Sequence, residues 1–113
     1  MSCLFCSIVA GEIPATIVFE NNELLAFRDI NPQAPTHVLI IPRVHREHPG
    51  ELTRDDEALM GRVIRAASEI AQQEGIADSG YRLIVNAGPD ANQTVPHIHV
   101  HVLGGRTMGW PPG

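Results

Sequence analysis

Residues 96–103 read Pro96-His97-Ile98-His99-Val100-His101-Val102-Leu103, histidine alternating with aliphatic residues over a single short stretch. Such a pattern is sorted by an extended strand, because successive side chains leave a strand on opposite faces. Ile98, Val100 and Val102 are expected on the core side. His97, His99 and His101 are expected on the other face, neighbours about 6.5–7 Å apart at twice the strand rise. Any fold of this chain must therefore offer the strand a buried layer on one side and room for imidazoles on the other. The ladder holds half of the chain's 6 histidines, which argues against three unrelated surface residues. Three imidazoles on one face either hold a metal or do acid–base and nucleophilic work. For a metal the geometry is awkward: the third ligand lies at i+4 on a straight strand, and Leu103-Gly104-Gly105-Arg106 brings no carboxylate behind it.

The rest of the chain supplies the setting. A short helix is predicted over Leu4–Ala10, stopped by Gly11 and Pro14. Strands are predicted at 16–19 and 24–27 around an Asn21-Asn22 turn, and at 81–85. Val38-Leu39-Ile40-Ile41 is a continuous apolar run, the signature of a central strand, and Pro42 ends it. One long helix is capped by Thr53, carries Asp55 to Glu57 on its first turn and ends at Gly75. Within it Leu59, Met60, Val63, Ile64, Ala67, Ile70 and Ala71 make one apolar face. With the strand at 97–103 these elements predict an α+β domain: an antiparallel sheet of about five strands, one long helix and a short N-terminal helix. At 113 residues the chain reads as one domain, 1–113, with 104–113 as a C-terminal tail.

Charge narrows the partners. Eight Lys and Arg against thirteen Asp and Glu leave a formal charge of −5, the wrong sign for nucleic acid or an anionic membrane. Bound phosphate must then be held by local donors, and the loop Asn86-Ala87-Gly88-Pro89-Asp90-Ala91-Asn92-Gln93-Thr94 is rich in amides, hydroxyl and glycine. No run approaches the ~20 apolar residues of a membrane span. The start lacks a basic segment and carries Glu12, so it does not read as a secretory signal. A cytoplasmic protein with Cys3 and Cys6 reduced is expected. Cys3-Leu4-Phe5-Cys6 itself is open to three readings: a redox pair, two small buried side chains, or half of a structural zinc site.

Four segments together resemble the histidine triad (HIT) superfamily, and within it the Hint branch of nucleoside phosphoramidases. They are Phe27-Arg28-Asp29-Ile30-Asn31-Pro32-Gln33-Ala34-Pro35-Thr36-His37 with the strand after it, Gly80-Tyr81-Arg82, the ladder, and Gly104-Gly105-Arg106-Thr107-Met108-Gly109-Trp110-Pro111-Pro112-Gly113. The resemblance spans nearly the whole chain and implies a HIT-like fold. It also implies hydrolysis of a purine nucleoside 5′-phosphate that carries an amine on its α-phosphorus, as in adenosine 5′-phosphoramidate. His99 would be the nucleophile, forming a nucleotidyl-histidine that water releases, and His101 would bond phosphate oxygens. His37 would join the proton relay and Thr94, in place of a family serine, would contact phosphate or leaving group. Asn86 and Gln93 would line the phosphate site, and Asn92 stands where relatives often have glycine. Asp29 would accept from the ribose hydroxyls, although an acid before Asn31-Pro32 also suits a turn. Ile13, Phe19, Phe27 and Ile30 would form the purine slot, four positions that composition alone would assign to core.

The resemblance further implies that His45 and His97 complete a structural zinc site with Cys3 and Cys6, with no metal needed for the chemistry. His48 is then a loop residue, or a substitute for His45. A homodimer is implied, with the tail near the active site across it. Two other functions fit parts of the pattern: a dinucleoside polyphosphate hydrolase of the neighbouring HIT branch, which lacks the Trp-Pro-Pro-Gly ending, and a nucleotide- or zinc-binding module without catalysis.

Overall fold

The run at 38–41 lies at the centre of the sheet. A computed structural model describes residues 3–113; Met1 and Ser2, part of the domain predicted over 1–113, lie outside the described residues. Its strands are β1 (Ile17–Glu20), β2 (Leu24–Arg28), β3 (Thr36–Pro42), β4 (Tyr81–Ile84) and β5 (Val100–Gly104), in the antiparallel order β1-β2-β3-β5-β4. Two helices accompany them, α1 (Leu4–Val9) and α2 (Glu57–Gln73). The α+β architecture read from the sequence is the one observed.

Both faces of the sheet are covered, which explains why β3 is buried along its whole length. On one face Val63, Ala66, Ala67, Ile70 and Ala71 of α2 pack against Leu24, Ala26, Val38, Ile40, Val100 and Val102. On the other, Cys3 and Phe5 of the N-terminal segment cover Leu25, Phe27, Leu39 and Ile41. Strand alternation thus sends even positions of β2, β3 and β5 to α2, and odd positions toward α1. The odd face carries the histidines.

Three local expectations are corrected, and β1 adds an irregularity. Thr53 caps a 3-10 turn, Arg54–Asp56, and α2 begins only after it. Thr53 and Asp56 form a reciprocal capping box there, with Arg46 on the buried Asp56 carboxylate. Ile64 is 49% exposed, because it stands about 100° round the helix from Val63; Ala66 takes its place in the buried stripe. In β1 the pairing register shifts between Ile17 and Phe19, so that Val18 and Phe19 both pack against the α2-side core. Finally, β5 starts at Val100 rather than His97. The Ile98 N–H donates to the Arg46 carbonyl at 2.6 Å, and the Pro42 carbonyl at the end of β3 is taken by His97 Nε2 at 2.8 Å. Ile98, Val100 and Val102 are buried as expected, and His97 and His99 are buried too, because the histidine face is also covered.

Candidate active site

The histidine ladder divides into two clusters, and His97 joins the first. Its ring is fully buried, and its Nε2–H donates to the Pro42 carbonyl at 2.8 Å. A neutral imidazole has one N–H, so His97 Nδ1 is left with a lone pair. That lone pair faces Cys3 Sγ at 3.4 Å, Cys6 Sγ at 3.5 Å and His45 Nδ1 at 3.3 Å, while Cys6 Sγ lies 3.3 Å from His45 Nδ1. All four donor atoms fall within 4.8 Å of one another. A tetrahedral zinc with ordinary bond lengths requires edges of about 3.3 Å between nitrogens and about 3.6 Å between nitrogen and sulfur. The four residues fit that ion. His48 is engaged elsewhere, where its Nδ1 accepts from the Gly50 N–H at 3.0 Å and caps the turn Pro49–Glu51.

His99 is coupled to this cluster through the backbone. Its Nδ1–H donates to the His97 carbonyl at 2.7 Å, which leaves Nε2 unprotonated. Phe5 stands edge-on to the His99 ring, with centroids 5.0 Å apart and planes at 89°, and it also touches Phe27 and His97. The sequence pattern alone does not place Phe5 here. The available signal is position: it lies between Cys3 and Cys6 in the N-terminal segment that covers the odd face of the sheet.

The second cluster is Asp29, His37 and His101. The Gln33 N–H donates to His37 Nδ1 at 3.0 Å, so the His37 proton sits on Nε2. That N–H lies 2.9 Å from His101 Nδ1 and 3.4 Å from Asp29 Oδ2. His101 Nδ1 is therefore an acceptor, and His101 Nε2 carries a proton free to donate. The same bonds oppose a metal among these three residues, although their donor atoms are close enough. A metal on His37 Nε2 would drive the proton onto Nδ1, against the Gln33 N–H. The cluster is built to hold a proton. Asp29 also serves the turn, its Oδ1 accepting from the Asn31 N–H at 2.8 Å.

Burial pushes the pKa of His99 and His37 below the ordinary imidazole value, against a smaller upward pull from Asp29. His101 falls furthest, to about 4, through burial and then through His99 and His37. A group whose folded pKa is depressed contributes stability above its unfolded pKa and loses it as pH falls. For His101 that window runs from the ordinary 6.5 down to about 4. Acid titration followed by imidazole NMR should accordingly show His101 neutral at pH 5.5, with Tm falling below pH 6.5; a His101 midpoint near 6.5 would contradict the buried relay.

The loop residues take up different duties. Gln93 spends its whole amide inside the protein: Oε1 accepts from the Gly88 N–H at 2.9 Å, and Nε2 donates to the carbonyls of Glu47 at 2.6 Å and Val95 at 3.0 Å. It staples the loop, and the residue also lines a cavity with Thr94. Asn92 adopts φ 63°, the left-handed region that glycine enters freely and asparagine tolerates best among the others. Asn86 lines a cavity of about 260 Å3 together with His37, His101, Arg82 and Arg106. Thr94 lines another, of about 220 Å3. The four purine-slot positions are not gathered. Phe27 is buried beneath Phe5, Ile13 lines a groove of mixed polarity beside α1, Ile30 is fully exposed at its turn, and Phe19 lies on the α2 face. The tail runs along the Asn86 cavity, where Met108 and Pro112 add to its wall and the Gly109 carbonyl accepts from Arg82 at 2.9 Å. Trp110 is 83% exposed. Among the described residues no helix is long and apolar enough to cross a membrane.

Comparison with known proteins agrees with this geometry. The family model described as "HIT domain" matches residues 10–108. A 14 kDa zinc-binding protein of Zea mays is 51% identical, with 97% of this chain and 87% of the relative aligned. The adenylylsulfatase HINT1 of Arabidopsis thaliana is 48% identical over 97% of this chain and 76% of its own length. Among solved structures, a HIT family hydrolase from Legionella pneumophila superimposes with a TM-score of 0.97 at 53% identity, covering 99% of this chain and all of its own.

Proposed function

The chain belongs to the HIT domain family as a hydrolase of its Hint branch, and from that premise we propose that it cleaves the bond between the α-phosphate of a purine nucleoside monophosphate and an amine. The observation that carries this reading is the tautomer of His99. Its Nδ1–H is committed to the His97 carbonyl, and its lowered pKa keeps Nε2 an unprotonated nucleophile at neutral pH. His99 Nε2 attacks phosphorus and the P–N bond breaks. Its electron pair stays on the amine, which leaves with a proton from water. A second water then displaces His99, releasing the mononucleotide. His101 Nε2–H donates to a phosphoryl oxygen as negative charge grows there, oriented through Nδ1 by His37 and Asp29. Thr94 and Asn86, each lining a cavity, contact the phosphate. Asp29 also accepts from the ribose hydroxyls, and the exposed Ile30 next to it borders the base.

Zinc held by Cys3, Cys6, His45 and His97 has a structural role in this reading, and the chemistry proceeds without it. The zinc-binding name of the Zea mays relative supports the site. We place the protein in the cytoplasm as a homodimer with the tail near the partner's site, acting on free purine nucleotides rather than on nucleic acid. The name of the Arabidopsis thaliana relative raises sulfate as a second leaving group at the same phosphorus.

The test is turnover of a fluorogenic adenosine phosphoramidate, with and without a chelator, and mass spectrometry of the trapped enzyme. Amine release that survives chelation, with a nucleotidyl adduct on His99, is the expected result. No release from any phosphoramidate, with folded protein, would leave a binding module instead.

A further inference from the structure

Two cavities bordered by the loop from Asn86 to Pro96 differ in charge. The one at His37 and His101 is walled by the guanidinium groups of Arg82 and Arg106. The one at Thr94, also lined by Glu47, His48, Gly88, Gln93 and Pro96, carries a carboxylate and neither Lys nor Arg. Glu47 is half-buried there, and its carboxylate has no ion pair or hydrogen bond among the described residues. The half-buried Asp29 and Glu74 and the buried Asp56, by contrast, each meet a histidine or arginine. Its placement is also fixed. Gln93, next to Thr94, donates to the Glu47 carbonyl at 2.6 Å, and Glu51 accepts from the Glu47 N–H, also at 2.6 Å. An unpaired carboxylate on a main chain pinned beside Thr94 is a site for positive charge, and with Thr94 at the phosphate it faces the side on which a group leaves the phosphorus.

We propose that Glu47 is a specificity-determining residue which selects leaving amines bearing a second, cationic group. The inference rests on the phosphoramidase reading, with Thr94 at the phosphate. Attraction across a half-open cleft is modest, so the expected preference is roughly three- to tenfold, weakening with salt.

Three adenosine phosphoramidates test it, alike in length but ending in an ammonium, a methyl or a carboxylate group. For the parent, kcat/KM should follow the order ammonium, methyl, carboxylate. Glu47→Gln should bring the ammonium-to-methyl ratio to about one, Glu47→Lys should invert it, and Glu47→Asp should keep part of it. An ammonium-to-methyl ratio of one in the parent, or a preference that Glu47→Gln leaves intact, would overturn the proposal while turnover of the methyl compound upholds the phosphoramidase reading. Absence of turnover with all three compounds would overturn both.

Discussion

His99→Asn should lower kcat/KM for an adenosine phosphoramidate by about 10⁴-fold or more, the scale on which removal of a covalent nucleophile acts. Asparagine keeps a polar group near the His97 carbonyl but has no basic nitrogen where Nε2 stood. The loss should lie in kcat. AMP affinity, measured by calorimetry, should change little, because in the proposed mechanism the ribose and phosphate are held by Asp29, His101, Thr94 and Asn86. His101→Asn gives the contrasting result, a smaller fall spread over kcat and KM. It removes a donor to the phosphoryl oxygen and leaves the attacking nitrogen in place. Equal falls for the two variants would mean that His99 is a ligand contact, and the covalent route would be lost.

The part of this site that was legible in the sequence is the part fixed by local periodicity. Alternation placed His97, His99 and His101 on one face and Val100 and Val102 on the other, and the run at 38–41 identified the central strand. What alternation does not contain is which neighbour each imidazole meets. His97 lies just before β5, where Pro42 has ended β3, so its ring turns to the Pro42 carbonyl and the cysteines. Phe19 has the right composition for a base slot, yet the register shift in β1 sends it to the opposite face. Gln93 lines the cavity at Thr94 while its amide makes three internal bonds. Phe5, to which the pattern assigned no role, packs against the nucleophile. Each depends on contacts across 40 residues or more, between Glu47 and Gln93 or between Phe5 and His99, which no short window reports.

Cys3→Ser/Cys6→Ser tests the remaining link, from the metal cluster to His99. The parent should hold about one zinc per chain by elemental analysis, and the double variant none. The domain has its own core on both faces of the sheet, so it should still fold. Without the ion, however, Cys3 and α1 are held to His97 only by packing and weak thiol contacts. A loss of a few kcal/mol follows, and for a domain of this size each kcal/mol is about 4 °C, so Tm should fall by roughly 10 °C or more. Activity should respond less than in His99→Asn. His97 offers two handles on one residue: its ring Nδ1 to the metal and its carbonyl to His99 Nδ1–H. Loosening the ring lets the carbonyl drift and relaxes the tautomer it enforces, an outer-sphere effect worth roughly 10- to 100-fold. Because the proton preference of His99 is what weakens, the pH dependence of kcat should shift in the variant, which a purely global loss of stability would not produce below its Tm. A variant that binds as much zinc as the parent would remove the cysteines from the site. One that loses zinc and keeps both Tm and the pH profile would separate the cluster from the nucleophile.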